Sequence, residues 1–410
     1  MARGEIAVGL DLGTTKICAV IAEEVPGGWN VIGVGNAPAE GLKRGVVVDV
    51  EGTVAAVRRA VDEAQLMAGV EVESVYAGVA GEHIDSLNSR GVIGVGGKGF
   101  EIGADDRDRV IEAARAVAIP FDREVLHVLP QEFVVDDQRG IRDPVGMSGV
   151  RLETSVHIVT AAATAVQNVS KSVERAGFGV RSLLLEPLAA GRAVLEADER
   201  DMGVCLVDIG GGTTDVAVYA GGGVRHTAVI GLGGQNVTND VGLCLRTSMP
   251  HAEKVKREFG VAVAAGIDVG ETVPMPGIAG REPRQVDRGE LAAIIEARMA
   301  EIFSLVSEQV AAAGSARSLG AGVVLTGGGA LLEGVVDLAE EVLGMPARLG
   351  APAGLGGLGE RVASPIYATA LGLVLMGMEK EREGGQPARR RFRDPAGPWN
   401  RLLQWFKEYL

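Results

Sequence analysis

The fold is decided by DIGGGTTD, residues 208–215, in which a turn of three glycines joins two apolar, β-branched runs. Residues 204–207 lead into the turn, and residues 216–219 lead out of it. Glycine allows a backbone with positive φ and brings N–H groups close to an anion, with no side chain in the way. The stretch therefore predicts a β-hairpin whose turn binds phosphate.

The same arrangement occurs half a chain earlier, at DLGTTK, residues 11–16. Apolar residues 6–10 precede this turn, and residues 17–20 follow it. Threonine hydroxyls add hydrogen-bond donors, and an aspartate at a strand end suits a hydrated divalent cation, which prefers oxygen ligands. A single such turn is weak evidence, but two copies predict two similar half-domains that close on one nucleoside triphosphate.

Composition limits the class of protein. A length of 410 residues predicts two or more domains, and 47% hydrophobic with 23% charged residues is typical of a globular chain with ample core. The net charge of −14, with no basic stripe to offset it, argues against nucleic-acid binding. Cys18 and Cys205 lie in predicted strands, so we expect buried thiols in a reducing compartment. Without a signal peptide or a run of 18 apolar residues, the sequence predicts a cytosolic chain that does not span a membrane.

The order of segments predicts an α/β fold of two lobes. The first core lobe is assigned to residues 1–82 and 159–200, and a small α+β domain is inserted at 83–158, where the sequence becomes glycine-rich. Strands are expected at 124–129 and 133–137 of the insertion, and residues 156–161 are expected to form a core strand. The second core lobe is assigned to 201–235 and 305–378, a nucleotide-side subdomain to 236–304, and a charged, disordered linker to 379–396.

Three further features complete the predicted nucleotide site. The loop at Gly327, Gly328 and Gly329 follows a buried strand, although such glycines also occur in simple tight turns. Glu253 and Lys256 share one helix face and suit ribose hydroxyls and an adenine edge, or else form a surface salt bridge. Glu186 follows another strand, where it either orients a water against the terminal phosphate or starts a helix before Pro187.

The predicted ligands are hairpin, loop and helix residues around one ATP molecule. Asp11 and Asp208 are also the predicted Mg²⁺ residues, because each ends a strand at its turn. The nucleotide-binding residues are Asp11, Gly13, Thr14, Thr15, Lys16, Asp208, Gly210, Gly211, Gly212, Thr213, Thr214, Gly234, Gln235, Asn236, Glu253, Lys256, Gly327, Gly328 and Gly329.

The C-terminal residues 397–410 predict an amphipathic helix with an independent function. At about 100° per residue, its apolar side chains fall on one arc of about 160°, and polar side chains occupy the rest. The apolar set is Trp399, Leu402, Leu403, Trp405, Phe406, Tyr409 and Leu410. A long polar linker and four nearby arginines favour insertion into an anionic membrane surface, at about 1 kcal/mol per arginine. The alternatives are packing on the body of the protein and binding to a partner helix.

Together these segments resemble the actin/Hsp70/hexokinase superfamily of ATPases, and within it the bacterial FtsA family of cell-division proteins. The narrower resemblance is carried by PQEF at 130–133, DPVGMSGVRL at 143–152, LTGGG at 325–329 and the terminal helix. It covers nearly all of residues 4–378 and resumes at the tail. The linker matches nothing recognisable.

The resemblance implies an actin-like fold with duplicated ribonuclease-H-like halves, in which the inserted domain replaces the usual second subdomain. It further implies ATP- and Mg²⁺-dependent filaments on the cytoplasmic face of the cell membrane at the division site. These filaments would attach the tail of the tubulin-like protein FtsZ, while the inserted domain binds other division proteins. The FtsZ tail would contact the nucleotide-side subdomain, where Arg281, Arg284 and Arg298 suit an acidic peptide. Enzymatic activity would be at most a slow hydrolysis of ATP.

Two rival functions share the superfamily. A small-molecule kinase would need an aspartate base in a closed substrate cleft and would have no use for an amphipathic tail. An Hsp70-type chaperone would need a large peptide-binding domain after residue 380, where only about thirty residues remain.

Overall fold

Two mixed β-sheets, each centred on one glycine-turn hairpin, form the framework of the fold. The structure is a computed structural model that describes residues 4–96, 100–268, 270–276, 282–314 and 319–384. A third, antiparallel sheet belongs to the inserted domain. The α/β, actin-like architecture predicted from the sequence is confirmed.

The first lobe begins with the first hairpin. Its elements are β1 (Ile6–Leu12), β2 (Lys16–Val25), β3 (Gly28–Pro38), β4 (Leu42–Lys43), β5 (Val46–Val47), α1 (Val50–Ala68) and β6 (Ser74–Val79). Helix α1 starts because the Asp49 side chain accepts a hydrogen bond from the Glu51 N–H, and it ends at Gly69, which has a left-handed φ of 63°. Its apolar face is buried against the sheet and forms the core of this lobe.

The inserted domain comprises β7 (Ile84–Gly94), α2 (Ala104–Arg115), β8 (Arg123–Val135), β9 (Gln138–Ile141) and β10 (Arg151–Ala162). Its strands lie in the order β7-β10-β8-β9. Two sequence predictions are wrong here. Strands 124–129 and 133–137 are one continuous strand, β8, and residues 156–161 belong to β10 of this sheet and not to a core sheet. Strand β10 is paired on both sides and largely buried, so residues 156–161 have the pattern of a core strand, and the inserted domain extends to residue 162.

The chain returns to the first lobe through α3 (Ala163–Arg175), β11 (Gly179–Leu185) and α4 (Glu186–Val194). The second lobe then contains α5 (Ala197–Met202), β12 (Val204–Ile209), β13 (Thr214–Ala220), β14 (Gly223–Ile230), α6 (Gly234–Cys244), α7 (Met249–Phe259), β15 (Thr272–Met275), β16 (Arg284–Asp287), α8 (Arg288–Ala312), β17 (Val323–Thr326), a 3₁₀ turn (Gly328–Leu331), α9 (Val335–Leu343) and β18 (Ala347–Leu349). Helix α8 runs through the predicted boundary at 304/305, because its buried apolar stripe continues from Leu291 to Val310. The predicted division between the two subdomains therefore falls inside one helix.

The chain then crosses back to the first lobe, which the sequence did not predict. Strand β19 (Gly356–Gly357) pairs with β3, and α10 (Gly359–Val362) and a 3₁₀ turn (Pro365–Tyr367) lead into α11 (Ala368–Gly384). Helix α11 packs so closely on this lobe that a Cβ on Gly372 would lie 1.7 Å from the Ala189 carbonyl oxygen. The assignment of all of 305–378 to the second lobe is corrected, and the linker cannot begin at 379, because α11 continues to Gly384.

The predicted amphipathic segment 397–410 lies outside the described residues. Within the described part of the chain, no helix combines the length and the apolar character required to cross a membrane.

Candidate nucleotide and cation site

The two glycine turns lie face to face between the lobes. A Cβ on Gly211 would lie 1.8 Å from the Thr15 Oγ1, and a Cβ on Gly212 would lie 2.8 Å from the Thr14 Oγ1. The turns therefore approach with room for backbone and threonine hydroxyls, and with no room for another side chain. This arrangement places two sets of N–H and O–H donors around one small space, as an anion such as a phosphate chain requires.

The second turn is supported by the start of α6. The Gly210 N–H donates to the Thr213 carbonyl oxygen at 2.9 Å and closes the turn. The Gly234 and Gln235 N–H groups donate to the carbonyl oxygens of Gly210 and Gly211 at 2.9 and 2.8 Å. The first residues of α6 thus lie beside the turn, and their backbone donors hold the turn in place.

Asp11 and Asp208, the predicted cation residues, are both buried at the turns, with exposures of 9% and 7%. Burial, opposed by the positive charge of Lys16 and assisted by the nearby Asp208 carboxylate, raises the pKa of Asp11 to about 7. Burial also raises the pKa of Asp208 to about 6. The positive charge of Lys16 therefore compensates these two buried carboxylates only in part.

Asp215 is a third carboxylate that the sequence analysis did not select. It lies opposite Asp208 in the β12–β13 register and is 4% exposed. Its Oδ2 accepts a hydrogen bond from the Thr213 hydroxyl at 3.3 Å, while its Oδ1 has no hydrogen-bond partner among the described residues. Burial, and then the charge of Asp208, raises the pKa of Asp215 well above its usual value. The signal was its place in the hairpin, since two aspartates that flank one tight turn are cross-strand neighbours.

Glu186 completes the acidic group. It is the first residue of α4 and remains partly exposed, and its pKa is raised well above the usual value by burial and by the charges of Asp11, Asp215 and Asp208. A Cβ on Gly78 would lie 2.6 Å from its Oε1, so the glycine in β6 leaves the space that the carboxylate occupies. Its position near three aspartates distinguishes it from an ordinary helix-start acid.

These carboxylates fit a hydrated Mg²⁺ rather than a directly ligated metal. Within the described residues, no group of three or more His, Cys, Asp or Glu side chains is arranged to hold a metal ion directly. Mg²⁺ usually keeps several waters and is held by one or two carboxylates together with substrate phosphates. The orphaned Asp215 oxygen and the raised pKa values of Asp11 and Asp208 are what such a hydrated cation would relieve.

Lys16 is oriented by the segment before α11. Its Nζ donates to the Ile366 carbonyl oxygen at 2.9 Å and lies 4.7 Å from the centre of the Tyr367 ring. The ammonium group is thus held at the edge of the first turn by a carbonyl oxygen and a ring face.

The predicted nucleoside side combines α7 with the glycine loop after β17. Lys256 and Glu253 are 2.6 Å apart, and the Lys256 Nζ donates to the Gly234 carbonyl oxygen at 3.0 Å. The pair therefore joins α7 to α6 and is more than a surface salt bridge. Gly327 has a φ of 82°, and a Cβ there would lie 2.2 Å from the Asp208 Oδ1. The glycine loop therefore lies next to Asp208, one of the two predicted Mg²⁺ residues.

Ionisation of Asp11 makes a testable contribution to stability. Because its pKa rises from 3.8 to about 7 on folding, the ligand-free folded state keeps a proton that the unfolded chain releases, and stability falls as pH rises from about 4 to 7. Asp11→Asn should therefore raise Tm over the parent above pH 7, on the order of 5 °C, and much less near pH 4. Thermal unfolding without nucleotide or divalent cation measures this. Asp62→Asn, on the exposed face of α1, is the control, and a pH-independent difference for Asp11→Asn would contradict the assignment.

Of the predicted partner-binding arginines, two lie within the described residues. The Arg284 Nη2 donates to the Leu245 carbonyl oxygen at 2.5 Å. Arg298 forms a two-pronged ion pair with Asp240, at 2.6 and 3.1 Å, and a further pair with Glu301. Arg298 lines an open groove of about 580 Å³ between α6 and α8. Arg281 and the membrane set Trp399, Leu402, Leu403, Trp405, Phe406, Tyr409 and Leu410 lie outside the described residues.

Comparison with solved structures supports the fold. The chain is similar to the PilM–PilN type IV pilus biogenesis complex, with a TM-score of 0.67 and 18% identity over 90% of this chain and 98% of that one. It is also similar to MreB5 of Spiroplasma citri bound to ADP, with a TM-score of 0.53 and 15% identity over 92% and 96% of the two chains. At these identities the likeness establishes the fold alone, which is that of the actin-like ATPases.

Sequence comparison establishes the family. The family model described as "Cell division protein FtsA" matches residues 205–372, and "SHS2 domain inserted in FTSA" matches 81–160. Cell division protein FtsA of Pseudomonas aeruginosa is 47% identical over 93% of this chain and 91% of its own length. The protein of the same name from Escherichia coli strain K12 is 39% identical over 98% of both. The chain belongs to the FtsA family of actin-like cell-division proteins.

Proposed function

We propose that the chain is an ATP-binding protein that assembles into filaments on the cytoplasmic face of the cell membrane and attaches FtsZ to it at the division site. The observation that carries the proposal is the meeting of the two glycine turns, at which donors from both lobes surround one space. A ligand that contacts both turns stabilises one arrangement of the lobes. The solved structures of MreB5 with ADP and with AMPPNP support a nucleotide as that ligand.

Each group of the site has a role in this proposal. The backbone donors of the second turn and the hydroxyls of Thr14 and Thr15 bind the phosphates. Asp11 and Asp208 hold hydrated Mg²⁺, which supplies positive charge against the phosphate oxygens. Glu186 accepts a hydrogen bond from a water near the terminal phosphate. We expect hydrolysis to be slow and ATP binding itself to set the filament-forming conformation.

The amphipathic segment 397–410 provides the membrane contact in this proposal. One short helix of this kind binds an anionic surface weakly and reversibly. A filament presents many copies at once, so that each further contact forms at a high effective concentration. ATP-dependent assembly would therefore convert weak single contacts into stable attachment, and the inserted domain would remain available to other division proteins.

Sedimentation with vesicles of anionic lipid tests the proposal. The protein should co-sediment more strongly with ATP than with ADP or without nucleotide, while releasing little phosphate. Electron microscopy of the protein on a lipid monolayer with ATP should show filaments. Equal vesicle binding in all three nucleotide states would overturn the proposal. Fast transfer of phosphate to a small-molecule hydroxyl would also overturn it and would favour a kinase.

We assign the FtsZ tail to the nucleotide-side subdomain, at the groove between α6 and α8. Arg298 lies in this groove beside the apolar Ile294. The groove is also lined by three acidic residues: Asp240, Glu290 and Glu301. An acidic peptide must therefore compete with Asp240 and Glu301 for the guanidinium group. Arg284, which contacts Leu245 directly after the groove residue Cys244, would supply a second cation.

This competition predicts opposite effects of two substitutions on binding of an FtsZ tail peptide. Arg298→Ala should weaken binding roughly tenfold, because a charged hydrogen bond is lost. Asp240→Asn should tighten binding by a few-fold, because it frees Arg298 and removes a repelling charge. Fluorescence anisotropy of a labelled peptide measures both. Lys254→Ala, an exposed charge change on α7, is the control, and an unaltered affinity in Arg298→Ala would exclude this groove.

A further inference from the structure

The six residues 364–369, immediately before and at the start of α11, contact three separate motifs of the nucleotide site. The Ile366 carbonyl oxygen accepts from Lys16 of the first turn at 2.9 Å. The Pro365 carbonyl oxygen accepts from the Gly327 N–H at 3.3 Å, in the glycine loop of the second lobe. The Thr369 hydroxyl donates to the Asp208 Oδ2 at 2.9 Å. One short segment therefore contacts both glycine turns and the glycine loop after β17.

The contact between Thr369 and Asp208 also crosses from one lobe to the other. Thr369 lies in the first turn of α11, and this helix packs against β1, β2 and β6 of the first lobe. Asp208 lies at the end of β12 in the second lobe. Both side chains are buried, with 7% exposure each, so the hydrogen bond is shielded from water. The close approach of Gly9 to α11, where a Cβ would lie 2.0 Å from the Ala370 carbonyl oxygen, fixes the helix relative to Asp11 on the same strand.

We propose that Thr369 is a positioning residue that fixes Asp208 of the second lobe relative to Asp11 of the first, so that the two carboxylates hold a hydrated Mg²⁺ on the bound ATP. The inference rests on the proposed ATP binding. A threonine at the start of a helix often donates to a nearby backbone carbonyl, which would serve the helix alone. Here the acceptor is a carboxylate from the other lobe, 161 residues away in sequence.

Without the hydroxyl, the Asp208 carboxylate loses a charged hydrogen bond that restrains its rotation. Such bonds contribute more than neutral ones, and the loss of one corresponds to roughly a tenfold change in an equilibrium constant. The loss of the hydroxyl should weaken the binding of Mg²⁺. It should not weaken the binding of the phosphates, because the hydrogen-bond donors of both turns remain in place. Thr369→Val keeps the shape of the side chain and removes the hydroxyl, whereas Thr369→Ser keeps the hydroxyl.

The test is the affinity of the full chain for a fluorescent ATP analogue, measured over a range of Mg²⁺ concentrations and in EDTA. Thr369→Val should raise the Mg²⁺ concentration for half-maximal enhancement of binding by about tenfold, and change the affinity in EDTA by less than about twofold. Thr369→Ser should restore the parent Mg²⁺ curve. Thr154→Val is the control. Thr154 is a buried threonine of the inserted domain whose hydroxyl donates to the Glu132 carbonyl oxygen, and its substitution should leave the parent Mg²⁺ curve unchanged.

Two results would overturn this assignment while leaving the proposed function in place. An unchanged Mg²⁺ curve for Thr369→Val would show that the hydroxyl does not position Asp208. An equal loss of affinity with and without Mg²⁺, together with a lower Tm, would show a structural role in place of a positioning one. A parent protein that binds no ATP in either condition would instead overturn the proposed function, and this inference with it.

Discussion

Gly211→Asp should abolish ATP binding and leave the fold intact. The substitution adds a carboxylate at the point where the two turns meet, and its Cβ would lie 1.8 Å from the Thr15 Oγ1. The new side chain fills the space between the turns and repels phosphate oxygens. Asp208→Ala should have a similar effect, because it removes a predicted Mg²⁺-binding carboxylate, which is also the acceptor of the Thr369 hydroxyl. We expect each to lower affinity at least about a hundredfold, equivalent to about 3 kcal/mol, as measured by titration calorimetry with Mg²⁺ and ATP.

Gly28→Asp is the matched control for charge. Gly28 begins β3, and a Cβ there meets nothing within 4 Å, so the same carboxylate is added without obstruction. This variant should bind ATP as the parent does. Circular dichroism and thermal unfolding should show that all three variants are folded. Parent-like affinity in either Gly211→Asp or Asp208→Ala would exclude the nucleotide-site assignment.

The part of the fold that sequence predicts best is the part set by local chemistry. A turn such as 208–215 is specified within eight residues, because glycine is needed where the backbone approaches Thr15 and aspartates are needed at the strand ends. The start of α8 is local in the same way, because the Asp287 side chain accepts a hydrogen bond from the Glu290 N–H at 3.1 Å, only three residues along the chain. These features depend on neighbours in sequence, so they can be recognised without the fold.

The parts that sequence reasoning placed wrongly depend on distant partners. The apolar run of β10 is the same whether it pairs with core strands or with β7 and β8, because burial on both faces produces one pattern. Helix α11 starts with an almost continuously buried apolar run that would suit either lobe, and its packing on β1, β2 and β6 and its close approach to Gly9 and Ala189 assign it to the first. Asp215 was visible in the motif, but its cross-strand position beside Asp208 and its unpartnered oxygen are properties of the folded hairpin.

The path of α11 also connects the nucleotide site to the C-terminal tail. Its first turn contacts Asp208, and its last turns form ion pairs with the first lobe: Arg192 with Glu379, Arg181 with Glu381, and Glu24 with Arg382. These ion pairs attach α11 to the first lobe as far as Arg382. In the proposed filament, this attachment would let every subunit present the segment 397–410 on the same side.

Trp405→Glu or Phe406→Glu should release the protein from membranes and leave ATP binding unchanged. Either substitution places a charge within the apolar arc of the segment 397–410, where desolvation costs several kcal/mol unless the helix leaves the lipid. Because a single short helix binds lipid only marginally, this cost should exceed its whole affinity. Co-sedimentation with anionic vesicles in the presence of ATP should fall to the background level, while filaments still form in solution.

Gln404→Glu is the matched control, since it adds the same charge on the polar face of the same helix. It should lower vesicle binding only slightly, through repulsion from anionic lipid. Higher salt should weaken the parent partly, because the linker arginines are screened and the burial of Trp399 and Leu402 is not. An unrelated amphipathic helix grafted after Arg393 should restore binding to a chain that lacks 396–410. If Trp405→Glu and Phe406→Glu co-sediment as the parent does, the segment packs on the protein or binds a partner helix, and membrane attachment must come from elsewhere.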